Sequence, residues 1–135
     1  MNNKLKNIAE IVASANDLFY SKHNNIDTLM GIMDKTLRKQ GMEADAVTID
    51  CITLDKKIVI LIHDDKADTV DIALGNKNGD IFSSTEYQLS EISIETVVGI
   101  MELSFSPKLS PLLFLHGRPY PKLFHLNFIS KGRAA

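Results

Sequence analysis

The apolar positions of this chain change period twice. Leu5, Ile8, Val12, Ala15 and Phe19 recur at three- and four-residue steps, which places them on one helical stripe that Ile11 and Leu18 widen. The run from Ser21 to Asn25 interrupts the pattern, because Ser and Asn side chains compete for the backbone groups a helix needs. Helical spacing resumes at Ile26, Leu29, Met30, Met33 and Leu37, with Asn25 or Asp27 available to cap the free N–H groups. Gly41 supplies the left-handed residue that stops a helix, and Met42 can pack back onto the last turn. The pattern predicts two amphipathic helices forming an αα-hairpin over residues 1–42.

Alternation with a period of two then takes over, predicting a β-meander over residues 46–88. Val47, Ile49 and Cys51 share one phase and Ile52 and Leu54 the other, so a bulge near Cys51, or a strand with both faces covered, is expected. Ile58 to Ile62 are all apolar, as in a central strand covered on both faces, with Lys56 and Lys57 in the preceding tight turn. Val70, Ile72 and Leu74 alternate with Thr69, Asp71 and Ala73. The glycines and asparagines of Gly75–Asp80 predict a hairpin turn, after which Ile81–Tyr87 return antiparallel. A further helix is expected over residues 93–103, with Ile94, Val97, Val98 and Met101 as its stripe. The fold class is therefore α+β: an N-terminal αα-hairpin packed on a mostly antiparallel sheet of about four to six strands, with a helix after the meander.

Charge divides the chain where periodicity does not. Of 135 residues, the first 102 hold ten Lys/Arg and seventeen Asp/Glu, a net of 10 − 17 = −7. Residues 103–135 hold five Lys/Arg, no acid, all four prolines and five of the nine aromatics. A shifted reading frame or an appended coding segment would give the same discontinuity. The overall net charge of −2 argues against nucleic acid as the main partner. A single cysteine, Cys51, cannot form an internal disulfide, which fits a reducing, cytoplasmic setting. No secretory signal is read at the N-terminus, and no apolar run reaches the length of a membrane span. The length predicts one domain.

Four stretches carry candidate chemistry. His63, Asp64, Asp65 and nearby Asp68 could bind a divalent metal or act as an acid–base pair in a metal-assisted hydrolase or nuclease. Adjacent strand residues point to opposite faces, however, and a solvated turn explains the same letters. Asp50 followed by Asp55-x-Lys57 resembles the carboxylate–carboxylate–lysine arrangement of restriction-like nucleases, in which two acids hold Mg²⁺ and a lysine stabilises developing charge. The five-residue spacing of the two acids and the acidic body are against that chemistry. Asn76, Asn78 and Asp80 alternate like the start of a calcium loop, but Tyr87 stands where its final glutamate belongs, and a hairpin turn suffices. Cys51 could act as a nucleophile with His116 or His125, yet its apolar strand context suits a small buried hydrophobe. No catalytic, metal or cofactor site is predicted.

The C-terminal segment, residues 104–135, is basic, apolar and aromatic. "LLFLHG" and "KLFHLNFIS" are each long enough for one strand, joined by "GRPYP" as a turn or extended link. Phe114, Tyr120, Phe124, Leu126 and Phe128 are the candidate partner-binding residues, and the last three alternate as an added strand would. Most of residues 112–129 are expected to be ordered, within a homodimer contact. The reading is a small, non-enzymatic binding or adaptor module, a homo-oligomer or one with a protein or peptide partner. An apolar small molecule in a helix–sheet groove is a further possibility. A helix–meander–helix order resembles that of many small bacterial chaperone or immunity proteins, in architecture and without a shared motif.

Overall fold

A computed structural model describes residues 2–106. The chain begins with α1 (Asn3–Lys22), then β1 (Leu29–Met33), a single helical turn α2 (Thr36–Lys39), and four strands: β2 (Ala44–Cys51), β3 (Lys56–His63), β4 (Thr69–Gly75) and β5 (Ile81–Gln88). A short 3₁₀ turn at Leu89–Glu91 leads into α3 (Ile94–Phe105). The five strands form one sheet in sequence order, every neighbour antiparallel. The architecture is α+β, with a helix before the meander and another after it.

The caps explain where the long helices start. The Oδ1 of Asn2 accepts the N–H of Leu5 at 2.7 Å, and the Oγ of Ser93 accepts the N–H of Thr96 at 3.1 Å. Each satisfies an orphan donor of a first turn. The apolar stripe of α1 is buried as its spacing requires: Leu5, Ile8, Val12, Ala15 and Phe19 all face the core, while Leu18 stays exposed. With Val97, Val98, Met101 and Phe105 of α3 they cover one face of the sheet, where Val47, Ile49, Ile58, Ile60, Val70 and Ile72 meet them. Val59, Leu61, Ala46 and Ala73 form the opposite face, beneath Leu37 of α2 and the flanking Met33 and Met42. β3 is thus buried on both sides, as its unbroken apolar run implies.

The second arm of the expected αα-hairpin is different. Residues 29–33 form β1, pairing with β2 in the register Leu29–Asp50 to Met33–Ala46, and only Thr36–Lys39 coil afterwards. Helical spacing at Ile26, Leu29, Met30, Met33 and Leu37 was real, but it was not decisive. Without β1, the donors and acceptors along that edge of β2 would lack strand partners, and pairing satisfies them. Gly31 also weakens a helix by about 1 kcal/mol relative to Ala. In the strand it lets β1 lie close, since a Cβ there would come within 2.9 Å of the Thr48 hydroxyl. Gly41 does end the short helix, at φ 89°, and the Met42 N–H returns to the Leu37 carbonyl at 3.0 Å.

A second correction concerns the β2–β3 connection. The phase change after Cys51 is a turn over residues 52–55, not a bulge, and Asp55 takes the left-handed conformation at φ 52°. Lys56 and Lys57 are therefore the first residues of β3 rather than turn residues. The Gly75–Asp80 hairpin forms as expected, with the Asn76 side-chain oxygen accepting the N–H groups of Asn78 and Asp80.

One ion-pair set joins the ends of the two long helices. Glu102 Oε2 lies 2.9 Å from His23 Nε2 and 3.1 Å from Lys22 Nζ. The His23 hydrogen bond, with Lys22 in support, holds the Glu102 carboxyl below its ordinary 4.5. A lowered folded pKa means that the contribution is complete above the unfolded value and disappears as the pH falls through the folded one. The urea midpoint should therefore drop as the pH is lowered below about 4.5, and Glu102→Gln should flatten that acid limb. An acid limb equally steep in the variant would remove Glu102 as a cause.

Candidate functional site

The sequence-predicted acid cluster is dispersed into separate ion pairs. His63 ends β3, and its Nε2 lies 3.0 Å from Asp71 Oδ2 on the neighbouring strand. Asp64 is gripped by both terminal nitrogens of Arg38, at 2.7 and 2.9 Å. The same guanidinium holds buried Asp45 through Nε and Nη2, each at 3.0 Å. These bonds keep the Asp64 carboxyl below its usual range and raise the Arg38 guanidinium further above its own. The arrangement clamps α2 to β2 and to the turn after β3. Asp65 lies in that turn, and the Asp68 carbonyl accepts the Leu89 N–H at 2.7 Å. Among the described residues no group of three or more His, Cys, Asp or Glu side chains is placed to share a metal ion.

The other chemical candidates are also accounted for locally. Asp50 faces Lys57 across the β2–β3 ladder at 3.4 Å, whereas Asp55 accepts the Lys77 N–H from its turn. The pair that resembled a nuclease centre is thus a cross-strand ion pair beside a turn residue. Cys51 is fully buried in the core. Phe114, Tyr120, Phe124, Leu126 and Phe128, with the two strands and the dimer contact expected over residues 112–129, lie outside the described residues.

What the fold does assemble is a groove whose place and lining were not read from the sequence. It forms where the last turns of α1, the entry to β1 and the β2–β3 turn converge, as an open depression of about 640 Å³. Tyr20, Leu29 and Ile52 give it an apolar wall, exposed by 53%, 59% and 71% respectively. Asp17 and Asp27 line it with carboxylates. The Thr28 hydroxyl donates to the Asn16 side-chain oxygen, tying the entry of β1 to α1. Ile52 is exposed because the turn after Cys51 lifts it out of the sheet.

The groove runs into the outer edge of β1, the first strand of the sheet. Among the described residues, this edge carries no guarding charge or proline. Leu29-Met30-Gly31-Ile32-Met33 contains no charge and no proline, and Leu29 and Ile32 are exposed. Natural sheets usually guard an edge with lysine, proline or a bulge. The opposite edge, β5, is polar: Ser83, Ser84, Thr85 and Glu86 occupy its middle, and Lys66 reaches Glu86 at 3.2 Å. The absence of charge between residues 29 and 33 was the available sequence signal, masked by the helical spacing around it.

The chain matches no family model, no curated protein and no solved structure. Among the described residues no helix is long and apolar enough to cross a membrane.

Proposed function

We propose that this protein is a small, non-enzymatic binding or adaptor module that receives an extended, apolar, basic protein segment along β1 and its adjoining groove. The observation that carries this reading is the edge of β1, uncharged and free of proline, beside a groove walled by Leu29 and Ile52 and lined by Asp17 and Asp27. An extended segment would add main-chain hydrogen bonds to the edge, and its alternate side chains would meet the groove. Covering an exposed Leu or Ile contributes up to about 1.5–3 kcal/mol each before ordering costs. The carboxylates favour a cationic guest, consistent with the −7 balance of residues 1–102. Residues 122–131, "KLFHLNFISK", have this chemistry, so the C-terminal segment of this or another copy is a natural occupant. A reducing, cytoplasmic setting belongs to the same reading.

The test is a titration of isotope-labelled full-length protein with an excess of a synthetic peptide of residues 122–131, followed by NMR. Shift changes should concentrate at residues 27–33 and 52–53, weaken with added salt, and diminish in Ile52→Glu. A saturating peptide that perturbs neither segment would overturn the reading.

A further inference from the structure

The edge of β1 is complementary to itself. Lay a second copy antiparallel against it with the two-fold axis through Gly31. Leu29 then faces Met33 of the other copy, and Met30 faces Ile32. Opposed residues in an antiparallel pair share a face of the sheet. Met30 lies on the helix-bearing face, packed with the main core, and Met33 lies on the other, beside Leu37. Both faces of the joint would therefore match apolar with apolar, and the glycine pair sits at the centre, where no side chain keeps the backbones apart.

The flanking charges lie just outside the strand and are symmetric about Gly31. Asp27 precedes Gly31 by four residues and Lys35 follows it by four. Both are exposed, and no ion pair in the described structure uses either. The two-fold brings Asp27 of each copy to the Lys35 end of the other, giving two opposite-charge pairs. Asp27 also lines the groove, so Met33 and Lys35 of the second copy approach the apolar wall and carboxylates already described. A register one residue away would lose this pairing and move every side chain to the opposite face.

We infer that the partner of this edge is first a second copy of the chain, joined β1 to β1 about Gly31 into a continuous ten-stranded sheet, twice the five of one copy. The inference rests on the strand-addition reading above and names its occupant.

Charge reversal and crosslinking of the full-length protein test it. Across a dilution series, sedimentation should give the wild type twice the monomer mass. Asp27→Lys and Lys35→Asp should each raise the dimer dissociation constant by about tenfold or more, because each turns two attractive pairs repulsive. The double reversal should restore dimerisation. Oxidation of Leu29→Cys combined with Met33→Cys should crosslink two copies, whereas Leu29→Cys alone should not. A wild type monomeric at every concentration would overturn the inference. So would a dimer indifferent to both reversals, or one that fails to crosslink through the cysteine pair. The dimer covers the edge the peptide needs, so the peptide titration is run on Lys35→Asp, which leaves Asp27 and the groove in place, and it decides separately whether the edge accepts strands at all.

Discussion

Replacing Phe19 with alanine should destabilise the protein by about 3–5 kcal/mol, the range for truncating a fully buried aromatic side chain. Phe19 is completely inaccessible and stands at the junction of α1 and α3. Its ring meets Phe105 edge-on, with centroids 6.2 Å apart and planes at 77°. It also packs against the His23 ring at 4.7 Å, so it positions the imidazole that holds Glu102. Truncation removes the edge-to-face contact, opens a cavity and loosens that ion pair together. Against a typical total of about 5–15 kcal/mol, such a loss is a third or more of the stability. Urea unfolding measures it directly, with the whole transition moving to lower denaturant. A loss under about 1 kcal/mol would mean that α1 is not seated on α3 as described.

Leu37→Ala should cost about 2–5 kcal/mol by the same cavity argument, but its effect should be spread differently. Leu37 is the only buried residue of α2, and it fixes that single turn over Ala44, Ala46, Val59 and Leu61. A four-residue helix has no intrinsic stability in water, so packing alone retains it. With the leucine gone, the turn should open without unfolding the main core, because Phe19, Met101 and Ile60 lie on the other face. Hydrogen exchange should show this as lost protection at Gln40 and Met42, whose N–H groups bond back to the Leu37 carbonyl. Protection in α1 should fall less. Equal loss of protection in both helices would show the two faces to be one cooperative unit.

Much of the architecture was legible in the chain because periodicity and burial have one solution where an element must cover a sheet. The α1 stripe, the two-sided burial of Ile58–Ile62, the Gly75–Asp80 hairpin and the α3 stripe all follow from spacing. Gly41 as a helix stop also held, since its left-handed conformation is local. The failures have a common origin. Residues 26–37 satisfied a helical period and also contained a five-residue strand, and the local signals against a helix, Gly31 and the uncharged run 29–33, were too weak to decide between the two. The unpaired edge of β2 decided it. Likewise, the phase change after Cys51 admitted a bulge or a strand covered on both faces, and the β2–β3 register showed a doubly buried strand followed by a turn.

The candidate site divides in the same way. The cluster of His63, Asp64, Asp65 and Asp68 is conspicuous in the chain, but its neighbours in space, Arg38 and Asp71, come from other elements and draw His63 and Asp64 into separate ion pairs. The groove is inconspicuous in the chain, because Tyr20, Leu29 and Ile52 come from three segments.

By itself, the sequence determined the class of fold, the helix faces, the doubly buried strand and the division between an acidic body and a basic tail. These are properties of spacing and composition, which are local or additive along the chain. Tertiary structure alone decided that residues 29–33 are a sheet edge, that the acids pair rather than converge, and that exposed apolar side chains gather beside β1. Each depends on which backbone and which charges lie near in space, and hydrogen-bond satisfaction across the sheet sets that before any local preference can.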